Sequence, residues 1–127
     1  HIGPERDTNL FDGQNLEIVA DIADAELILN TGPWEDDETV ADYAATLDRG
    51  VAGDVPMICA NPDLEVIRGG TRIICAGALA QYYEEQGGRV LYYGKPYPPI
   101  YRTCLRMIGD PAPERVLAIG TNHCGWV

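Results

Sequence analysis

Short apolar runs alternate along the chain with segments of helical periodicity. Compact apolar runs bounded by glycine, proline, asparagine or aspartate are typical of buried strands. Val40, Tyr43 and Leu47, in contrast, recur at the spacing of one helix face. The predicted strands are 25–31, 55–60, 66–68, 71–75, 90–93 and 115–120, and the predicted helices are 39–47, 77–86 and 99–108. Strands alternating with helices favour parallel pairing and an α/β fold.

Glycines mark several of the predicted boundaries. Gly69 and Gly70 separate two strand-like runs and predict a hairpin with a two-residue turn. The segment 50–54, which begins with Gly50, predicts the end of the first helix.

The charge of the chain restricts its partners. Twenty acidic and nine basic residues give a formal net charge of −11, which repels nucleic-acid backbones and anionic membranes. A small anionic substrate is still compatible with this charge, because one lysine or a metal ion can reverse the local field. The longest apolar run is shorter than the ~20 residues of a membrane-spanning helix. We therefore expect neither a nucleic-acid partner nor a membrane partner.

The cysteines form no CxxC pair, and this favours reduced thiols in a cytosolic protein. A zinc site at His123 and Cys124 would need two further ligands, and none lies nearby at a recognised spacing. We predict no metal-ligating residue in the chain. The four cysteines are Cys59, Cys75, Cys104 and Cys124.

Three polar segments follow predicted strands, where ligands collect in open α/β sheets. They are 61–63, 94–96 and 120–122. In the second, Lys95 lies between a glycine and a proline, directly after a buried strand. Such an ammonium can neutralise charge on a phosphate or on a carboxylate nucleophile. The alternative is a surface lysine in an ordinary turn.

Asn61 and Asp63 flank Pro62 in the first of these segments. They are candidate substrate-binding residues, although both types are also common turn residues that bond their own backbone. Serine is absent from the chain and the two histidines are at positions 1 and 123, which excludes a serine-hydrolase mechanism and disfavours a cysteine-protease one. No dinucleotide-binding or P-loop pattern is present.

Four strings occur in an order that resembles a known enzyme family. They are Ile58-Cys59-Ala60-Asn61-Pro62-Asp63, Ala76-Gly77-Ala78-Leu79-Ala80, Gly94-Lys95-Pro96-Tyr97-Pro98-Pro99-Ile100-Tyr101 and Val116-Leu117-Ala118-Ile119-Gly120. Their order and separations resemble the class IIA (NagD-like) branch of the haloacid dehalogenase-like hydrolases, over roughly residues 15–120.

The resemblance implies a cap-type α/β domain followed by a partial doubly wound, Rossmann-like core. Residues 1–14 would be a core-to-cap lead-in, 15–88 the cap, 89–120 part of the core and 121–127 an unrelated tail. Lys95 matches the family's third-motif lysine, which stabilises the aspartate nucleophile and the transferring phosphoryl group. The resemblance further implies Mg²⁺, a phosphoaspartyl intermediate and a small phosphorylated metabolite as substrate.

The chain departs from the family pattern at both ends. The first motif, D-x-D-G, is absent, and so is the second motif, a Ser or Thr at the end of a strand. Thr121 stands where the magnesium-binding aspartate of the fourth motif is expected. The magnesium ligands are therefore not expected in this chain. We predict a fragment of a phosphohydrolase that is inactive by itself, with self-association through uncovered strand edges as a further expectation. The alternative is a non-catalytic α/β module that binds a small molecule or a partner.

Overall fold

A three-stranded parallel sheet lies at the centre of this computed structural model, which describes residues 1–119. The strands are β1 (Ile28–Asn30), β2 (Met57–Cys59) and β5 (Val90–Tyr92), in the order β1-β2-β5. Both strand pairs are parallel. A separate antiparallel pair is formed by β3 (Glu65–Arg68) and β4 (Thr71–Ile74). The predicted α/β class is confirmed.

Three α-helices accompany the strands: α1 (Val40–Ala52), α2 (Ala76–Glu85) and α3 (Pro98–Met107). A capping box at Thr39 and Asp42 begins α1, and prolines occupy the first turn of α3, where a missing N–H costs no helix hydrogen bond. Short 3-10 helices cover Glu5–Phe11, Ile22–Asp24 and Pro113–Arg115. No helix within residues 1–119 is long and apolar enough to cross a membrane.

The hydrophobic core lies between the sheet and the helices α1 and α2. The buried Tyr83 donates a hydrogen bond from its hydroxyl to the Val55 carbonyl at 2.5 Å, which satisfies the polar end of a large core side chain. The largest fully buried hydrophobic side chains are Tyr43, Tyr83, Leu47, Met57, Leu79 and Cys59.

The N-terminal residues join the sheet, although their sequence shows no strong periodicity. Ile2 forms a parallel bridge with Asn30 and is only 4% exposed. Its N–H donates to the Leu29 carbonyl at 2.9 Å, and its carbonyl accepts from the Thr31 N–H at 2.8 Å. A single bridging residue is too short to give a periodic signal.

Helix α1 ends at Ala52, inside the segment 50–54 where the sequence predicted its end, and Gly53 is its C-terminal cap. Gly50 itself lies within the helix. A Cβ atom at Gly50 would lie 2.9 Å from Ile22 Cδ1 and 3.1 Å from the Tyr83 hydroxyl. The glycine therefore permits close packing of α1 on its neighbours, which offsets its low helix propensity.

The hairpin predicted from its two glycines is confirmed. β3 pairs with β4 in antiparallel register, from Glu65 opposite Ile74 to Arg68 opposite Thr71. Gly69 (φ 57°) and Gly70 (φ 85°) both have positive φ, as a tight two-residue turn requires.

The strand predicted at 115–120 was wrong for the described residues. Arg115 ends a short 3-10 helix, and residues 116–119 belong to no strand. Leu117 and Ile119 are 82% and 89% exposed. A β-strand needs a neighbour for its N–H and C=O groups, and among residues 1–119 no strand pairs with this segment. Gly120 lies outside the described residues.

The pairing of β5 with β2 crosses the predicted boundary between residues 88 and 89. Met57 is opposite Val90, and Cys59 is opposite Tyr92. The first strand of the predicted 89–120 segment thus shares a sheet with two strands of the 15–88 segment. The division of the chain into cap and core segments stays a prediction.

Helix α2 begins in direct contact with the loop that follows β2. The Gly77 N–H donates to the Asp63 carbonyl at 3.1 Å. A Cβ atom at Gly77 would lie 2.2 Å from the Pro62 carbonyl oxygen and 2.5 Å from that of Asp63. Only glycine allows this approach, because the obstructing atoms belong to the backbone.

We predict that Gly77→Ala destabilises the protein by about 1–3 kcal/mol, since the added methyl group must displace the loop at 62–63. The measurement is the free energy of unfolding in urea. Gly53→Ala is the matched control, because a Cβ there meets its nearest neighbour at an ordinary 3.4 Å and the backbone φ is −85°. An equal loss of stability in both variants would contradict the prediction.

Candidate functional site

Two of the three polar segments predicted at strand ends meet at one edge of the sheet. Residues 61–63 follow β2, residues 94–96 follow β5, and the two strands are parallel neighbours. The Lys95 ammonium lies 2.8 Å from the Asp63 carboxylate oxygen Oδ2. The third predicted segment, 120–122, lies outside the described residues.

Asn61 forms the local turn contact that was the structural alternative to substrate binding in the sequence analysis. Its side-chain oxygen accepts a hydrogen bond from the Asp63 N–H at 3.3 Å, as asparagine does in tight turns. Its carbonyl accepts from the Cys59 thiol at 3.4 Å. Asn61 thereby shapes the loop that presents Asp63, and its predicted contact with a substrate stays a prediction.

The cysteines near this site have a structural character. Burial raises the pKa of Cys59 to about 11, so the thiol is neutral at pH 7 and is a poor nucleophile. Cys75 is also buried, as predicted for a small apolar side chain, whereas Cys104 is exposed. Cys124 and the zinc alternative with His123 lie outside the described residues.

The backbone on both sides of Lys95 is closely packed. A Cβ atom at Gly94 would lie 2.5 Å from Pro62 Cδ, so the loops after β5 and β2 touch each other. The Tyr97 N–H donates to the Gly94 carbonyl at 2.8 Å, which closes a turn with Lys95 at its first central position. The Tyr92 and Tyr97 rings stack across this turn with centroids 4.6 Å apart and planes 11° apart.

The ring of Tyr92 is also fixed at its polar end. Its hydroxyl donates to Glu84 of α2 at 3.1 Å, and burial together with the Glu84 carboxylate raises the pKa of this phenol. The stack therefore anchors the lysine turn to both the sheet and α2.

The ion pair is accessible from solvent. The Lys95 side chain is 50% exposed and that of Asp63 is 27% exposed. Exposed pairs of this kind contribute roughly 0.2–1 kcal/mol to stability. The pair is therefore a minor contribution to folding, whereas a positive charge at an accessible strand end can bind a small anion.

The described residues do not form a magnesium site. Mg²⁺ prefers several oxygen ligands in near-octahedral geometry, usually including one or two carboxylates. Residues 1–119 contain no group of three or more Asp, Glu, His or Cys side chains that could hold a metal ion. Asp63, the carboxylate at the site, is paired with Lys95.

Two contributors to the site were missed at the sequence level. Gly77 allows the close approach of α2 to the loop at 62–63, and a glycine at a helix start is the signal that indicates such a contact. Asn30, at the end of β1, is fully buried, and its amide donates to the Ala76 carbonyl at 2.9 Å. Its Oδ1 atom has no hydrogen-bond partner among the described residues.

Comparison with solved structures shows a similarity to a hydrolase. No protein-family model and no curated protein matches the chain. The chain is similar to a solved structure described as a hydrolase of the haloacid dehalogenase-like family from Brucella suis 1330, with 45% sequence identity and a TM-score of 0.78. The match covers 85% of this chain and 41% of that hydrolase, so the chain spans less than half of its length. This similarity in sequence and fold supports the placement of the chain in the haloacid dehalogenase-like superfamily.

Proposed function

We propose that this chain supplies the cap and part of the core of a phosphohydrolase that acts on small phosphorylated metabolites. The 45% identity to a haloacid dehalogenase-like hydrolase carries the proposal. The position of Lys95, at the carboxyl edge of a parallel sheet and accessible to a small anion, supports it. The class IIA (NagD-like) assignment and the reaction through a phosphoaspartyl intermediate are parts of the same proposal.

In this proposal Lys95 stabilises negative charge on the carboxylate nucleophile and on the transferring phosphoryl group. An ammonium is a compact point charge suited to phosphate oxygens. Asn61 and Asp63 shape the adjacent edge of the site. A magnesium ion, when bound, would neutralise further phosphate charge, but residues 1–119 do not provide a set of ligands for it.

The chain alone is proposed to be inactive. The 127 residues contain no D-x-D-G motif, and the carboxylate at the site, Asp63, is already paired with Lys95. The nucleophile and the metal ligands would therefore come from other segments. The second candidate, a non-catalytic binding module, is favoured by the absence of a metal-ligating cluster within residues 1–119.

The two candidates predict different results for a joined protein, in which this chain replaces the matching 41% of the Brucella suis hydrolase. We expect no hydrolysis of 4-nitrophenyl phosphate by the isolated chain, with or without magnesium. The joined protein should gain magnesium-dependent turnover. Lys95→Ala should reduce that turnover by about 100-fold or more, because an electrostatic contact in the transition state is lost.

Turnover by the isolated chain would contradict the proposal that other segments supply the nucleophile and the metal ligands. A folded joined protein without turnover would favour the non-catalytic module. Arg89→Ala, which removes a cation at the opposite end of the same strand, is the matched control and should retain most of the activity.

We also propose that the isolated chain self-associates through the open edge of β5 and through exposed apolar side chains. Strand β5 is an edge of the three-stranded sheet, and Leu91 on it is 51% exposed. No residue of α3 is buried. Further exposed apolar side chains at this end of the chain are Met107, Ile108, Val116, Leu117 and Ile119. Apolar patches and unpaired strand edges both promote association.

We expect the weight-average mass in sedimentation velocity to rise with protein concentration. Leu91→Lys should reduce this association, because a charged side chain on an edge strand opposes pairing with another strand. Leu10→Lys changes an equally exposed leucine (54%) in the N-terminal 3-10 helix and should leave the association unchanged. A monomer at all concentrations would contradict this proposal.

A further inference from the structure

The strands β2 and β5 are bracketed by an ion pair at each end. At their amino ends Arg89 bonds Asp54 through Nε to Oδ1 at 3.1 Å, and through Nη2 to Oδ2 at 3.3 Å and to the Asp54 carbonyl at 3.1 Å. At their carboxyl ends the Lys95 Nζ atom donates to the Asp63 Oδ2 atom at 2.8 Å. The two pairs thus differ in geometry. Arg89 bonds both carboxylate oxygens and the carbonyl of Asp54, whereas Lys95 bonds one carboxylate oxygen of Asp63.

The carboxyl-end pair is not needed to align the strands. Their register is set by backbone hydrogen bonds, including Met57 N–H to the Arg89 carbonyl at 2.9 Å and Tyr93 N–H to the Cys59 carbonyl at 2.8 Å. The Asp54–Arg89 contact reinforces the same register. The alignment of β2 and β5 therefore does not depend on the Asp63–Lys95 pair.

The backbone of Asp63 is held in place by hydrogen bonds on both sides. Its carbonyl accepts from Gly77 and its N–H donates to the Asn61 side chain. The next residue is also held, because the Leu64 carbonyl accepts from the Cys75 N–H at 2.9 Å. Lysine, in contrast, carries its charge on a flexible stem with about 2 kcal/mol of rotamer entropy. A fixed carboxylate within hydrogen-bond distance restricts the positions that this ammonium can occupy.

We infer that Asp63 is a positioning residue for Lys95, holding its ammonium at the edge of the sheet between the loops after β2 and β5. This assigns Asp63 a different role from the substrate contact expected from the sequence. The effect of Asp63 on catalysis rests on the proposed function, in which Lys95 stabilises the transferring phosphoryl group. A small displacement of a charge that stabilises a transition state reduces turnover more than substrate binding.

The direct test is the order of the Lys95 ammonium in the full 127-residue chain, measured by ¹⁵N relaxation of the lysine side chain. Asp63→Asn should lower its order parameter, and Asp63→Glu should retain part of the order because it keeps the charge. Asp54→Asn is the matched control. It makes the same chemical change at the other ion pair, and asparagine tolerates the positive φ of 53° at this position. It should leave the order of Lys95 unchanged.

The joined protein provides the second measurement. Asp63→Asn should lower kcat by about 10-fold with little change in KM, and Asp63→Glu should recover part of the loss. Backbone amide spectra show whether each variant is folded. If Asp63→Asn fails to fold, the Lys95 order parameter in the folded Asp63→Glu variant decides, and the inference predicts that it is lower than in the native chain.

An unchanged Lys95 order parameter in Asp63→Asn would overturn the inference. So would an unchanged kcat in an active joined protein, or an equal loss of kcat in Asp54→Asn. If the joined protein is inactive with the native Asp63, the proposed function fails. The order of the ammonium in the isolated chain then still decides whether Asp63 positions Lys95.

Discussion

The parallel pairing of β2 with β5 is the constraint on which the candidate site depends. Parallel neighbours place the loops that follow them at the same edge of the sheet, so Asp63 and Lys95 meet although 32 residues separate them. Two glycines then make the approach possible. Gly94 lets one loop touch Pro62, and Gly77 lets α2 begin against the carbonyls of the other loop. Larger residues at either position would separate the lysine from the aspartate.

The sequence predicts the elements that bring this site together, because each carries a strong local signal. Apolar runs that end in Asn-Pro-Asp and Gly-Lys-Pro predicted β2, β5 and their polar ends, and the pair Gly69-Gly70 predicted the hairpin. The meeting of 61–63 with 94–96 also follows from the general geometry of parallel sheets. The ion pair itself could not be predicted, because the sequence does not specify which side chains at a shared edge point towards each other.

The differences between the predicted and the observed elements have a common physical origin in tertiary packing. Gly50 has a low helix propensity, yet it lies inside α1, where the side chains of Ile22 and Tyr83 leave little room for a Cβ atom. Residues 116–119 have the composition of a strand, yet no described strand lies beside them. A segment with high β-propensity forms a strand only when a neighbouring strand is available to pair with it. The exposed apolar residues at 116–119 are among those through which we propose that the isolated chain self-associates.

The central claim is that Lys95 is the phosphate-facing cation of a site that other segments complete. The most direct measurement is a crystal structure of the joined protein with magnesium and orthovanadate, a mimic of the transferring phosphoryl group. The account predicts Lys95 Nζ at roughly 3 Å from a vanadate oxygen, the distance of a charge-assisted hydrogen bond, with Asp63 still beside the ammonium. Vanadate bound at a place that Lys95 does not reach would contradict the claim.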